Sequence, residues 1–358
     1  MVRESFPEET VATHAKVRVA LIGAGGWGRE HARIFSARPD VDFVAICGRS
    51  AEKTAARAAA HGVRAYTDIG HMLDAEKPDL VSICLGNQDH FVPTLEVIRA
   101  GYPLFVEKPF VFDLREADTL VAEAEQRKLF FAINFNHHYA QPVARGHRDI
   151  AAGRLGEIMF ASWRFGGHGG LSHPFNNLIE TQCHGFDMLE YLCGPIDAVA
   201  AQMTDKTAGG FFRTLAVALH FRNGAVGTLL GSYDTSYAYP QTHAVEVSGT
   251  KGRLLIEDTV RRYSFSPHDS ETAEVWQAGY FNDVDRSFYL TFDKHVDALL
   301  ANFKAGKGPP VHARAGRRAL QLALACIESF EGGRRVEVET TSFQAADPAP
   351  VTAPPPSP

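Results

Sequence analysis

The sequence predicts an α/β domain on a doubly wound, Rossmann-like parallel sheet, followed by an α+β domain on a large, mainly antiparallel sheet. Three observations predict it. Short β-branched apolar runs alternate with amphipathic stretches through the first third of the chain, and a Gly-x-Gly-x-x-Gly run stands at the first strand-to-helix turn. After about residue 155 the apolar runs lengthen, and an Asn-Gly pair separates two of them.

The elements follow in order. Strand 17–22 leads to helix 27–38, strand 43–47 to helix 50–60, strand 80–85 to helix 90–100, and strand 104–106 to helix 114–127, with strand 130–134 closing the series. Each crossover returns the chain in the same direction, so the strands are parallel. Ser50 and Asp113 are placed to cap helix N-termini, and Gly62 and Gly101 to end helices. Strands 212–221 and 225–234 flank Arg222-Asn223-Gly224, a hairpin signal if both Asn223 and Gly224 take positive φ. Further strands are expected at 243–247 and 253–257, and helices at 288–303 and 313–330. The expected organisation is an arm at 1–15, a dinucleotide-binding domain at 16–139, a substrate-binding and oligomerisation domain at 140–340, and a disordered tail at 345–358 holding six prolines.

Composition narrows the function classes. Among 358 residues, 36 Lys+Arg against 42 Asp+Glu give a net charge of −6 with no basic block, which argues against nucleic acid or an anionic membrane as partner. Five scattered cysteines without a Cys-x-x-Cys pair fit free thiols in a reducing cytoplasm. The N-terminus has no signal-peptide pattern, and no stretch approaches the ~18 apolar residues of a membrane span. Despite 16 histidines, no His-Glu-x-x-His run or zinc-type spacing appears, so no metal is expected.

The run Gly23-Ala24-Gly25-Gly26-Trp27-Gly28 follows the first strand directly. Gly23 permits the tight turn, Gly25 lets the backbone approach a pyrophosphate, and Gly28 allows close helix–strand packing. The N–H groups at Gly26 and Trp27 open the helix toward the phosphates. A dinucleotide site commonly has an acid about 20 residues beyond the loop; here that position is Gly48, followed by Arg49 and Ser50. Arg49 pairing with a 2′-phosphate and Ser50 donating to it favour NADP over NAD. The plainer alternative makes Arg49 a solvated cation and Ser50 only a helix cap.

Glu107-Lys108-Pro109 stands at the carboxyl end of a parallel strand, where ligands of open α/β sheets bind. Pro109 biases Lys108 toward extended backbone and so fixes the aim of its ammonium. Farther on, Glu180 and His184 are four residues apart, the spacing of one helical face, with Asp187 three beyond.

The glycine loop, then Leu85-Gly86-Asn87-Gln88-Asp89-His90, then Glu107-Lys108-Pro109 and a following sheet domain resemble the Gfo/Idh/MocA family (glucose–fructose oxidoreductase, inositol dehydrogenase, rhizopine catabolism) from about residue 16 to 338. The resemblance implies oxidation or reduction of a secondary alcohol or ketone of a sugar, cyclitol or similar polyol with NADP or NAD. It implies that Lys108, His184 and Glu180 are catalytic. Neutral His184 takes the hydroxyl proton, Lys108 stabilises alkoxide charge or joins the proton relay, and Glu180 orients the imidazole or holds another hydroxyl. It places Asn87, His90, Glu107 and Lys108 beside the cofactor, with packing beneath the loop as the alternative for His90.

The departures from the family pattern carry information. Glu180 stands where Asp is commoner, and Leu85-Gly86-Asn87 replaces a Thr-Pro-Asn turn. His137-His138 replaces an arginine pair, which favours a neutral polyol over a carboxylated substrate. His137, His138, His168 of the Gly166–Gly170 loop and Asp187 are the candidate substrate contacts, with an ordinary mobile loop as the alternative for His168. The expected partner is a small sugar or polyol, and the wide sheet favours a homodimer or homotetramer. Two other functions are compatible with these residues: a glycoside hydrolase or lyase working by transient sugar oxidation, and a non-catalytic NADP-binding regulator. Retention of Lys108 with His184 argues against the regulator.

Overall fold

The computed structural model describes residues 16–86 and 88–339. The 1–15 arm, Asn87 and the 345–358 tail lie outside the described residues. The chain falls into two compact units, one ending at Cys84 and one beginning at Leu85, a division inside the stretch that the sequence assigns to a single dinucleotide-binding domain.

The first unit runs β1 (Val17–Ile22), α1 (Gly26–Ala37), β2 (Val41–Cys47), α2 (Ala51–His61), β3 (Arg64–Tyr66), α3 (Ile69–Glu76) and β4 (Leu80–Ile83). Its strands are parallel in the order β3-β2-β1-β4. Leu21, Ile46, Ala32, Ala58 and Cys84 form a buried cluster between strands and helices. Ser50 caps α2 by accepting from the Lys53 N–H, and Gly62 ends it in the left-handed region, as the sequence predicts. β3 is too short to show a period, while α3 carries Ile69, Met72 and Leu73 at helical spacing.

The second unit continues the alternation with α4 (Phe91–Arg99), β5 (Leu104–Val106), α5 (Leu114–Gln126) and β6 (Phe131–Ile133), β5 and β6 being parallel. A 3-10 turn (Asn136–Tyr139) and α6 (Gln141–Ala151) lead to β7 (Ile158–Gly166), a π-helical turn (Asn177–Thr181) and α7 (Cys183–Cys193). Then come β8 (Ile196–Thr204), β9 (Thr214–Phe221), β10 (Val226–Ser232), β11 (His243–Gly249), β12 (Gly252–Glu257), β13 (Arg262–Pro267) and β14 (Glu274–Gln277). The chain closes with α8 (Asp283–Arg286), α9 (Leu290–Lys304), α10 (Arg314–Gly332) and β15 (Val336–Glu337).

A nine-stranded sheet in the order β14-β13-β12-β11-β7-β10-β9-β8-β15 forms this part, antiparallel throughout except for the β7–β10 pair. A parallel α/β part followed by a mainly antiparallel sheet is the class the sequence predicts. The β9–β10 hairpin differs in detail, because Gly224 has positive φ (89°) and Asn223 does not. The Asn223 amide explains the difference: Oδ1 accepts from the Ala225 N–H and Nδ2 donates to the Cys193 carbonyl, which closes the turn without a left-handed Asn.

Candidate active site

In the first unit the glycine loop is shaped by close approaches. Gly23 has φ of 127°, and a Cβ there would lie 1.9 Å from the Cys84 carbonyl oxygen. A Cβ on Gly28 would lie 2.1 Å from the Gly23 carbonyl oxygen, so α1 packs directly on the turn. At Gly25 and Gly26 a Cβ would meet nothing within 4 Å, and Trp27 is exposed, which leaves the N-terminus of α1 open. That cradle fits a dinucleotide pyrophosphate. Gly48 lacks a side chain for a local reason: a Cβ would stand 2.6 Å from Thr54 Oγ1. Arg49 and Ser50, just beyond, are exposed.

The second unit holds the remaining candidates. Lys108 follows β5, and its backbone N–H donates to Glu107 Oε2 at 3.1 Å. Glu107 is buried, and its carboxylate accepts from the Lys108 N–H and from Asn134 Nδ2. His90 is buried too, with Nε2 3.3 Å from the Leu85 carbonyl; burial lowers its pKa.

His184 opens α7 and stacks face to face on His137, with ring centroids 4.1 Å apart and planes 3° from parallel. Phe135 meets His184 edge-on at 5.6 Å, while Trp163, His243 and Phe288 surround His137. Burial is the main force that holds both imidazoles well below the ordinary histidine pKa. Neighbouring charge adds to it: His184 is lowered further by His137, Lys108, His243 and His138. Lys108 therefore lies within electrostatic reach of both stacked rings. Buried His243 is lowered to about 3, again chiefly by desolvation.

Two sequence expectations are corrected here. Glu180 and His184 do not share the face of one α-helix, because Glu180 lies in the π turn and His184 in α7. The register changes where the Gln182 N–H reaches back to the Asn177 carbonyl at 3.0 Å, a five-residue step. Nor does Glu180 orient His184. Its carboxylate accepts from Asn176 Nδ2, and the Tyr233 hydroxyl lies 3.5 Å away. Asp187 instead faces His138, with 2.6 Å between Oδ2 and Nε2, and His138 stacks on Tyr191 at 4.0 Å.

Several residues of this cluster were not singled out in the sequence. Gln182 accepts from Trp163 Nε1 at 2.8 Å and donates to Asn177 Oδ1 at 2.9 Å, bracing the π turn from within the core. Tyr233 bonds Thr181 at 2.7 Å. Tyr237 packs on Gly167 and lies within electrostatic reach of both Lys108 and Glu180. His168, exposed, meets the Tyr237 ring edge-on at 6.1 Å. The available signal was the glycine-dense stretch 166–170, whose missing side chains make room for the two tyrosine rings.

The model for the oxidoreductase family's NAD-binding Rossmann fold matches residues 17–135, and the model for its C-terminal alpha/beta domain matches 150–338. The chain belongs to the Gfo/Idh/MocA oxidoreductase family. It is 25% identical over 338 residues to myo-inositol 2-dehydrogenase of Thermotoga maritima, covering 90% of this chain and 99% of that one. It is 27% identical over 357 residues to D-apiose dehydrogenase of Paraburkholderia graminis, covering 94% and 93%. Among solved structures, levoglucosan dehydrogenase in complex with NADH and L-sorbose shares the fold with a TM-score of 0.83 at 18% identity, covering 92% of this chain and all (100%) of that one.

As a Gfo/Idh/MocA protein the chain is an oxidoreductase with an NAD-binding Rossmann fold. Among the described residues no helix is long and apolar enough to cross a membrane.

Proposed function

We propose that this protein is a nicotinamide-dependent dehydrogenase or reductase of a secondary alcohol or ketone in an uncharged sugar, cyclitol or similar polyol. The observation that carries the reading is the face-to-face stack of the buried His184 and His137 imidazoles, whose charged forms burial chiefly, and Lys108 in addition, disfavour. The relatives named for inositol and apiose oxidation support the substrate class. The substrate-binding domain is taken as 140–340 and the dinucleotide-binding domain as 16–139.

In the oxidative direction His184 takes the hydroxyl proton of the substrate, and Lys108 stabilises the negative charge that builds on that oxygen. Gly23, Gly25, Gly26, Trp27 and Gly28 would hold a nicotinamide dinucleotide, which would supply the two-electron acceptor. Glu180, held by neutral donors, keeps acceptor capacity for another substrate hydroxyl. His137, His138, Asp187 and His168 provide further hydroxyl contacts. Neutral imidazoles together with the Glu180 and Asp187 carboxylates give no surplus positive charge for an anionic sugar, so a uronate is a poor substrate.

NADP is the preferred cofactor. The position that would hold an acid against it is Gly48, closed to side chains by Thr54, and exposed Arg49 follows. The buried thiols Cys183, Cys193 and Cys326, none of them in a disulfide, suit a reducing cytoplasm. The protein works as a homodimer or homotetramer through the outer sheet face, where Val226, Thr228 and Leu230 of β10 stand beside Phe160 of β7 and Ala216 and Ala218 of β9. The test is a turnover panel of neutral sugars, cyclitols and uronates with NADP and NAD. Reduction of NADP with a neutral polyol is expected. Activity confined to uronates contradicts the substrate class, and stronger turnover with NAD contradicts the cofactor preference.

A further inference from the structure

Behind Lys108 runs a chain of buried polar groups that the proposed reaction does not use directly. Asn134 follows β6, and its N–H donates to the Val106 carbonyl at 2.9 Å, which seats it beside the end of β5. Asn134 Nδ2 donates to Glu107 Oε1 at 2.5 Å, while the other oxygen of the same carboxylate accepts from the Lys108 backbone N–H. With its amide nitrogen committed to a carboxylate, Asn134 presents Oδ1 as acceptor, so His295 Nδ1, 2.8 Å away, carries the proton. Asn134 and His295 are almost fully buried, at 1% and 0% exposure.

His295 comes from α9, 161 residues farther along the chain. Its ring stacks on Tyr139 at 4.5 Å and meets Phe105 edge-on at 5.2 Å. One turn earlier in α9, Thr291 accepts from Asn136 Nδ2 at 2.7 Å and donates to the Phe288 carbonyl. Phe288 in turn packs its ring against His137 at 5.4 Å. The start of α9 thus grips both the loop bearing Lys108 and the turn bearing His137. A buried polar network is costly to maintain unless each member is satisfied, and once satisfied it fixes position more sharply than apolar contact does.

We propose that Asn134 and His295 are positioning residues that hold the Lys108 backbone, and with it the aim of the ammonium at the substrate oxygen. The inference rests on the reading of Lys108 as the group that meets substrate. A double-mutant cycle with the full chain tests it. Asn134→Ala and His295→Phe are each expected to lower kcat by about 10- to 100-fold, with both KM values moving less than about threefold. His295→Gln, whose amide can still donate to Asn134, is expected to recover to within about fivefold of the parent. Added to Lys108→Ala, Asn134→Ala is expected to cost less than about twofold more, because the group it positions is already gone.

Full, additive loss on top of an impaired Lys108→Ala overturns the positioning role alone, as does a His295→Gln no better than His295→Phe. A parental rate in Lys108→Ala overturns the reading of Lys108 and the positioning role with it. If Asn134→Ala does not fold, as judged by circular dichroism, the same cycle runs with His295→Phe.

Discussion

Gly167 and Gly169 each lie against a tyrosine ring: a Cβ would stand 2.0 Å from Tyr237 Cζ at the first and 2.1 Å from Tyr233 Cζ at the second. Tyr233 cannot retreat without breaking its bond to Thr181 in the π turn, whereas the exposed Tyr237 ring is free to turn outward. Gly169→Ala is therefore expected to lower kcat/KM by about tenfold or more in steady-state assays. Gly170→Ala is the control, because its Cβ would come no closer than 3.8 Å to Asn176 and is expected to leave kcat/KM within about twofold. At His184 the sign of the pKa change sets a second expectation. Burial lowers the pKa, so the imidazole stays a neutral base on acidification. The acid limb of kcat/KM for alcohol oxidation should fall well below pH ~6.5, the value for an unperturbed histidine. A limb at ~6.5 or above contradicts His184 as a buried neutral base.

Among the elements, the π turn and α7 show where sequence legibility stops. Glu180, His184 and Asp187 are singled out by the family resemblance together with their spacing, and each lies in the π turn or α7. Their relative placement was not readable, because the turn is set by Gln182, which reaches Trp163 on β7 and Asn177 at once. No local period encodes a bond between residues 182 and 163. Gln182→Leu strands the Trp163 N–H and Asn177 Oδ1 in the core. It is expected to cost about 2–4 kcal/mol in urea unfolding, whereas a cost under ~0.5 kcal/mol contradicts the bracing role. The α/β alternation and the caps at Ser50 and Asp113 were legible because they depend on neighbours within a few residues. Asn134 and His295 were not, since their pairing spans most of the second unit and neither residue type is unusual by itself.

At the scale of the whole molecule, the buried neutral histidines tie stability to pH. His243 titrates at about 3 in the folded chain and near 6.5 when unfolded, so the unfolded chain binds the proton first. Its contribution is complete above pH ~6.5 and is lost as pH falls toward 3, at up to about 1.4 kcal/mol per pH unit. His137 and His184 act in the same direction. Unfolding free energy at pH 5 should lie at least about 2 kcal/mol below that at pH 7, and equal values contradict the neutral, buried assignment of these rings. The sheet face presenting Val226, Leu230 and Phe160 carries a separate expectation: light scattering should report a mass of two or four chains, and a monomer contradicts the proposed assembly.

Lys108 and His184 are proposed to act together on one substrate oxygen. The most direct test measures turnover of a neutral polyol at saturating dinucleotide in Lys108→Met and His184→Ala, with dinucleotide affinity followed separately by fluorescence. Each variant should lose at least about 100-fold in kcat while binding the dinucleotide within about threefold of the parent. Parental turnover in either one would contradict the account.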